Sequence, residues 1–187
     1  PGKPDLTGKR FLITGASSGF GYAGALHYAA LGATVIASMR NLPRAEADAL
    51  LAAAKGLSGQ VHVVEIDVLD DAQVAAGAAQ AERLARGAID VLVNNAGIGI
   101  TGPVEAQDME ATRLAFDTNV FGYQRMIRAV LPGMRARKSG LVVNISSQLG
   151  RVIVPYGGHY SATKFAVEAL SEQLAYELVP HGIDVLV

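Results

Sequence analysis

Residues 10–38, RFLITGASSGFGYAGALHYAALGATVIAS, decide the fold. A short apolar run (RFLIT) meets a glycine-rich turn, the turn opens an alanine-rich segment that stops at Gly32, and a second β-branched run (ATVIAS) follows. A strand, a glycine turn and a helix in that order give the turn a meaning, because the helix N-terminus presents free amides to whatever the turn holds. Gly15 suits the tight turn, while Gly19 and Gly21 let the backbone approach a pyrophosphate.

Outward from this unit the alternation continues. VHVVEI (61–66), IDVLVN (89–94), LVVNIS (141–146) and IDVLV (183–187) read as further strands, near-continuously apolar as suits strands buried on both faces. Helical composition fills 20–32, 42–56, 70–87, one long segment 105–138, and 160–182. Strand–helix alternation predicts right-handed crossovers and an α/β fold: a parallel sheet in a three-layer α/β/α arrangement. Gly32, Gly56, Gly87 and Gly182 mark expected left-handed helix stops.

The 187 residues, half of them apolar, suffice for one core, so a single domain over 1–187 is expected. A net charge of −1 offers no general attraction to nucleic acid or anionic lipid. Cysteine is absent and His27, His62, His159 and His181 are scattered, so no metal site is expected. No apolar run approaches membrane-spanning length and PGKPDLTGKR lacks a signal-peptide core, which predicts a soluble, cytoplasmic protein. The first residue is Pro1, consistent with a processed or trimmed start.

The end of the second strand, VIASMRN, lacks the acid that would bind the adenosine ribose of NAD(H), and Arg40 stands where a 2′-phosphate would lie. NADP(H) is therefore expected, with NAD(H) as the other possibility. GASSG (15–19) also fits the elbow of serine hydrolases with Ser17 as nucleophile, but no earlier strand is available to supply an oxyanion loop. VNNAG (93–97) and VVNISSQLG (142–150) end the fourth and fifth strands, and VEIDV (64–68) the third, where ligands bind in open parallel sheets. Asn94 and Asn95 also suit a purely structural role of tying strand ends together.

These motifs together resemble the short-chain dehydrogenase/reductase family in its common single-domain form, across nearly the whole chain. The glycine turn matches as Thr14, Gly15, Gly19 and Gly21, N-N-A-G as Asn94 to Gly97, and Y-x-x-x-K as Tyr160 and Lys164. The second serine of the ISS run, Ser147, lies thirteen residues before the tyrosine, and DTNVFG supplies Asn119. The resemblance implies a Rossmann-type doubly wound sheet and an oxidoreductase that interconverts a carbonyl and an alcohol. It implies cofactor contacts from Thr14, Gly15, Ser17, Ser18, Gly19, Phe20, Gly21, Arg40, Asp67 (adenine side), Val68, Asn94, Ala96 and Gly97, together with Tyr160 and Lys164. By the same resemblance Ser147 binds the substrate oxygen, Lys164 the nicotinamide ribose, and Asn119 a water relay.

Residues four apart share a helix face, so Lys164 can hold its charge near Tyr160 and favour the phenolate of a group whose free pKa is about 10. Tyr160 is then the acid–base group. A protein that binds nucleotide without turnover, as a sensor or scaffold, is the rival from another class; the presence of all four catalytic residue types speaks against it. The family normally continues beyond a sixth strand with a substrate-covering region and a seventh strand, so the chain reads as truncated, with an uncovered apolar edge. Leu114, Phe116, Val120, Phe121, Met126, Ile127 and Val130 spread over a wide arc, and the resemblance implies a homodimer or homotetramer packed through this helix and the next. Tyr156 and His159 read as loop residues, and Arg135, Arg137 and Lys138 as complements to a helix dipole.

Overall fold

The structure is a computed structural model and describes residues 4–187, so the reading of Pro1 as a processed start lies outside the described residues. Six strands form one parallel sheet: β1 (Arg10–Ile13), β2 (Thr34–Met39), β3 (Gln60–Glu65), β4 (Val91–Asn94), β5 (Gly140–Asn144) and β6 (Ile183–Leu186). Their order is β3-β2-β1-β4-β5-β6, with β6 at an edge. The chain winds one way from β1 to β3 and the other way from β4 to β6. The reversal between β1 and β4 opens a crevice at the carboxyl ends of the strands.

Register and side-chain alternation divide the core in two. Leu12 pairs with Ile36 and with Leu92, and Leu92 with Val142. These four point to one face, where they are fully buried under α3 (Asp71–Leu84), α5 (Gly122–Arg137) and α6 (Gly158–Leu178). Ile13, Val35, Ala37 and Val93 point to the other face, against α1 (Gly19–Ala30) and α2 (Ala45–Ala53). Ala25 and Ala29 are the buried residues of α1 here, and their small side chains seat the helix close to the sheet.

The long helical segment expected over 105–138 is several pieces. A 3₁₀ turn (Val104–Ala106) precedes α4 (Met109–Phe116), a π-helical turn spans Asp117–Phe121, and α5 then begins. Asp108 caps α4 through the amides of Glu110 and Ala111. The π turn has a tertiary cause: Arg125 grips Asp117 at 2.7 Å, and the Asn119 side chain bonds the backbone of Ile98. The expected stops at Gly32, Gly56 and Gly182 take positive φ; after α3 the left-handed residue is Arg86 (φ 54), one before Gly87. The arc predicted for one interface also divides, with Val120, Met126 and Val130 buried and Leu114 and Phe121 exposed.

Gly21 is packed on both sides, since a Cβ there would lie 2.5 Å from the Gly15 carbonyl and 2.6 Å from Asn95 Nδ2. Gly24, one turn later, would meet nothing closer than 3.6 Å. Gly21→Ala is expected to lower stability by about 1–3 kcal/mol in urea unfolding, and Gly24→Ala to leave it equal or higher. Equal midpoints for the two variants would contradict this packing.

Candidate active site

A cleft of about 370 Å³ lies at the switch point. It runs from Arg40 and Arg44 at the end of β2, past Gly15, Ser17, Ser18 and Phe20 of the glycine turn and Asp67 and Val68 after β3, to Ala96, Gly97, Ile98 and Thr118. Gly15 has φ +66, and a Cβ on it would lie 2.8 Å from Ala96 Cα, so this turn requires glycine twice over. Ser18 is the extended N-cap of α1 but makes no side-chain cap, leaving first-turn amides of the helix free for an anion. By contrast Asp70 caps α3 through Ala72 and Gln73. An extended anionic ligand fits this cleft: guanidinium groups at one end, uncapped amides midway, and a wall without bulk at Ala96 and Gly97.

Several expected cofactor residues sit behind the cleft. Thr14 is fully buried, and its Oγ1 accepts from the amides of Asn95 and Ala96, both at 3.0 Å. Asn95 Nδ2 answers by donating to the carbonyls of Thr14 and Gly15 at 2.9 and 3.1 Å. This reciprocal staple fixes the glycine turn to the end of β4. Asn94 donates to Asn144 at 2.8 Å, and Asn144 to Ser171 of α6 at 2.8 Å, a buried chain across two strands and a helix. Gly21 packs against that scaffold, and Gly19, with φ +56, has open space around it.

Arg44, at the N-cap of α2, was missed by a reading that took 42–56 as plain helix. Its guanidinium forks onto Glu46 at 2.9 Å through two nitrogens and holds that carboxyl down to about 2. Arg40 is exposed, and among the described residues it pairs with no carboxylate. Its charge is therefore the one left free at that end of the cleft. Among the described residues no histidine lines the cleft, and Ser17 lacks the positive φ that a strained nucleophile elbow would impose, so the hydrolase reading has neither base nor backbone here.

Beyond the Ile98 end lies the cluster predicted for proton transfer. Lys164 is 4 % exposed, and its Nζ donates to the Ile145 carbonyl at 2.7 Å. The ammonium lies 5.7 Å from the centroid of the Tyr160 ring and 5.5 Å from that of Tyr123, within cation–π range of both. Burial pushes Lys164 down to about 8. Ser147 follows β5 and caps a 3₁₀ turn (Gln148–Gly150), its Oγ accepting from the Leu149 amide at 3.1 Å. With that lone pair used, its hydroxyl proton remains to be donated outward. Asn119 is fully buried, and its side chain is committed to the Ile98 backbone and, at 3.1 Å, to Thr163, which donates to the Tyr160 carbonyl at 2.7 Å. The π turn thus holds the first turn of α6. Among the described residues no helix is long and apolar enough to cross a membrane.

Comparison with known proteins agrees with this geometry. A family model described as short chain dehydrogenase matches residues 9–187. Human retinol dehydrogenase 8 is 42% identical over 176 residues, covering 92% of this chain and 55% of that protein. Human 17-beta-hydroxysteroid dehydrogenase type 1 is 40% identical over 182 residues, with 92% and 53% covered. The chain thus spans about half the length of these curated relatives. Among solved structures, a short-chain dehydrogenase from Streptomyces avermitilis superposes with a TM-score of 0.87 at 44% identity, covering 95% of this chain and 63% of that one. A metagenomic short-chain oxidoreductase in complex with NADP gives 0.89 at 31% identity, covering 96% and 80%.

The buried ammonium has a signature in stability. Below pH 8 Lys164 is protonated in folded and unfolded chains alike. From about 8 towards the ordinary 10.5 the unfolded chain keeps a proton that the folded chain has lost, so raising the pH favours folding. The unfolding free energy of the parent minus that of Lys164→Met is expected to rise between pH 8 and pH 10. A flat difference in urea melts over that range would contradict the burial.

Proposed function

The chain belongs to the short-chain dehydrogenase family, and from that premise we propose that it is an NADP(H)-dependent oxidoreductase interconverting a carbonyl and a secondary alcohol. The observation that supports this best is a buried lysine ammonium held beside Tyr160, past the end of a cleft shaped for an extended anionic ligand. In this reading the glycine turn and the α1 amides hold the pyrophosphate, Asp67 and Val68 the adenine side, and Arg40 the 2′-phosphate, with Arg44 beside it. The bound nicotinamide supplies or accepts the hydride.

The chain's own groups manage the proton and the oxygen. Ser147 donates its free hydroxyl proton to the substrate oxygen, orienting the carbonyl. Tyr160 gives its phenolic proton to that oxygen during reduction and takes it back during oxidation. The Lys164 ammonium stabilises the phenolate left behind, and its two remaining N–H groups are free to hold ribose hydroxyls. Asn119 keeps the first turn of α6 in place through Thr163.

The substrate proposed is lipophilic. The segment between Ser147 and Tyr160, which joins the two in sequence, leaves Val152, Ile153, Val154 and Tyr156 exposed, the last by two-thirds. Relatives named for retinol and for hydroxysteroids are consistent with such a rim. We also propose that residues 1–187 form one nucleotide-binding domain of a cytoplasmic homo-oligomer. An apolar groove of about 260 Å³ between α5 and α6, bordered by Ile127, Leu131, Leu170 and Leu174, supports the self-association.

Fluorescence titration is expected to give NADPH binding at least about tenfold tighter than NADH, with Arg40→Ala removing that preference. Equal affinities in the parent chain would overturn the cofactor assignment. On a panel of lipophilic ketones and aldehydes, Tyr160→Phe is expected to lower kcat about 10²- to 10⁴-fold with unchanged NADPH binding. Near-parent turnover in that variant would remove Tyr160 from the mechanism.

A further inference from the structure

The Lys164 ammonium is buried with one protein acceptor, and that acceptor is shared. Tyr123, on the first turn of α5 and 3 % exposed, donates its hydroxyl to the same Ile145 carbonyl at 3.0 Å. Its ring centroid stands 5.5 Å from the ammonium, and that of Tyr160 5.7 Å. The carbonyl has two lone pairs, and the Tyr123 hydroxyl occupies one, so the ammonium is confined to the other. Tyr123 also borders the groove between α5 and α6.

We propose that Tyr123 is a positioning residue for Lys164: its hydroxyl limits how tightly Ile145 draws the ammonium in, and its ring and that of Tyr160 hold the charge between them. This rests on the reading of Lys164 as the cation beside the acid–base tyrosine. The titratable groups facing the ammonium are Tyr160 from its own helix and Tyr123 from α5. β5 contributes the Ile145 carbonyl, and among the described residues no carboxylate pairs with Lys164. Burial also pushes the Tyr123 hydroxyl well above the ordinary tyrosine range, with the charge of Tyr160 adding to the effect, so it stays a neutral donor at working pH.

Removing the hydroxyl alone leaves Ile145 bonded to Lys164, so no buried acceptor is orphaned and the fold should survive. The freed carbonyl then binds the ammonium more strongly, favouring its charged form and drawing it away from Tyr160. Tyr123→Phe in the full chain is expected to raise the Lys164 midpoint, followed by nitrogen-15 NMR of the side chain, by about half a pH unit or more. It is also expected to lower kcat on a carbonyl substrate at least about threefold, with thermal unfolding unchanged. An unmoved midpoint overturns the proposal whatever happens to the rate, and so does a moved midpoint with kcat unchanged. Tyr160→Phe, assayed in parallel, separates the two levels: turnover surviving in that variant refutes the reading of the site, whereas the NMR midpoint still judges Tyr123.

Discussion

A positive charge buried without a carboxylate is the constraint around which the upper end of this sheet is built. An ammonium in that position is tolerated only where dipoles and ring faces replace the water it has lost. Ile145 supplies the dipole because β5 ends there, and α5 and α6 supply the rings. The helices must therefore keep a fixed spacing above the strand. The Asn94–Asn144–Ser171 chain and the Thr163–Asn119 bond set that spacing from below and from the side. A site with a weaker scaffold would let the lysine find solvent, and Tyr160 would lose its cationic neighbour.

The same economy of parts holds at the cofactor end. Thr14 and Asn95 exchange hydrogen bonds so that the glycine turn and the end of β4 form one rigid wall, with Gly15 pressed against Ala96. The turn can then leave the α1 amides uncapped, since its conformation does not depend on a cap. Arg44 is largely neutralised by Glu46, which leaves Arg40 as the guanidinium without a carboxylate partner at the cleft mouth among the described residues.

The sheet was legible because its strands are β-branched runs bounded by turn residues, and that pattern is local. Ser147, Tyr160 and Lys164 stand out in the sequence because their spacing matches a motif, and the structure sets Lys164 beside Tyr160. What escaped was whatever long-range contact decides. The segment 105–138 reads as one helix by composition; Asn119 reaching Ile98, and Gly122 pressed onto Val68, turn part of it into a π turn. Glycine at 21 reads as a ligand contact from its spacing, and the close approach of α1 to Asn95 demands glycine there as well. Thr14 and Asn94 belong to the motifs and face inward, whereas Arg44 and Tyr123 belong to no motif and face the site. A one-dimensional pattern carries the period of an element but not the direction of its neighbours.

The central claim is that this site moves a hydride and a proton between a nicotinamide and a carbonyl. The measurement that addresses it most directly uses NADPH carrying deuterium on each face of C4 in turn, with a lipophilic ketone accepted by the full chain. The account predicts that one of the two cofactors delivers its deuterium to the carbinol carbon of the product, and that Lys164→Met and Tyr160→Phe both suppress the transfer. NADPH binding with no deuterium reaching any product across a broad panel, or transfer that persists undiminished in both variants, would contradict it.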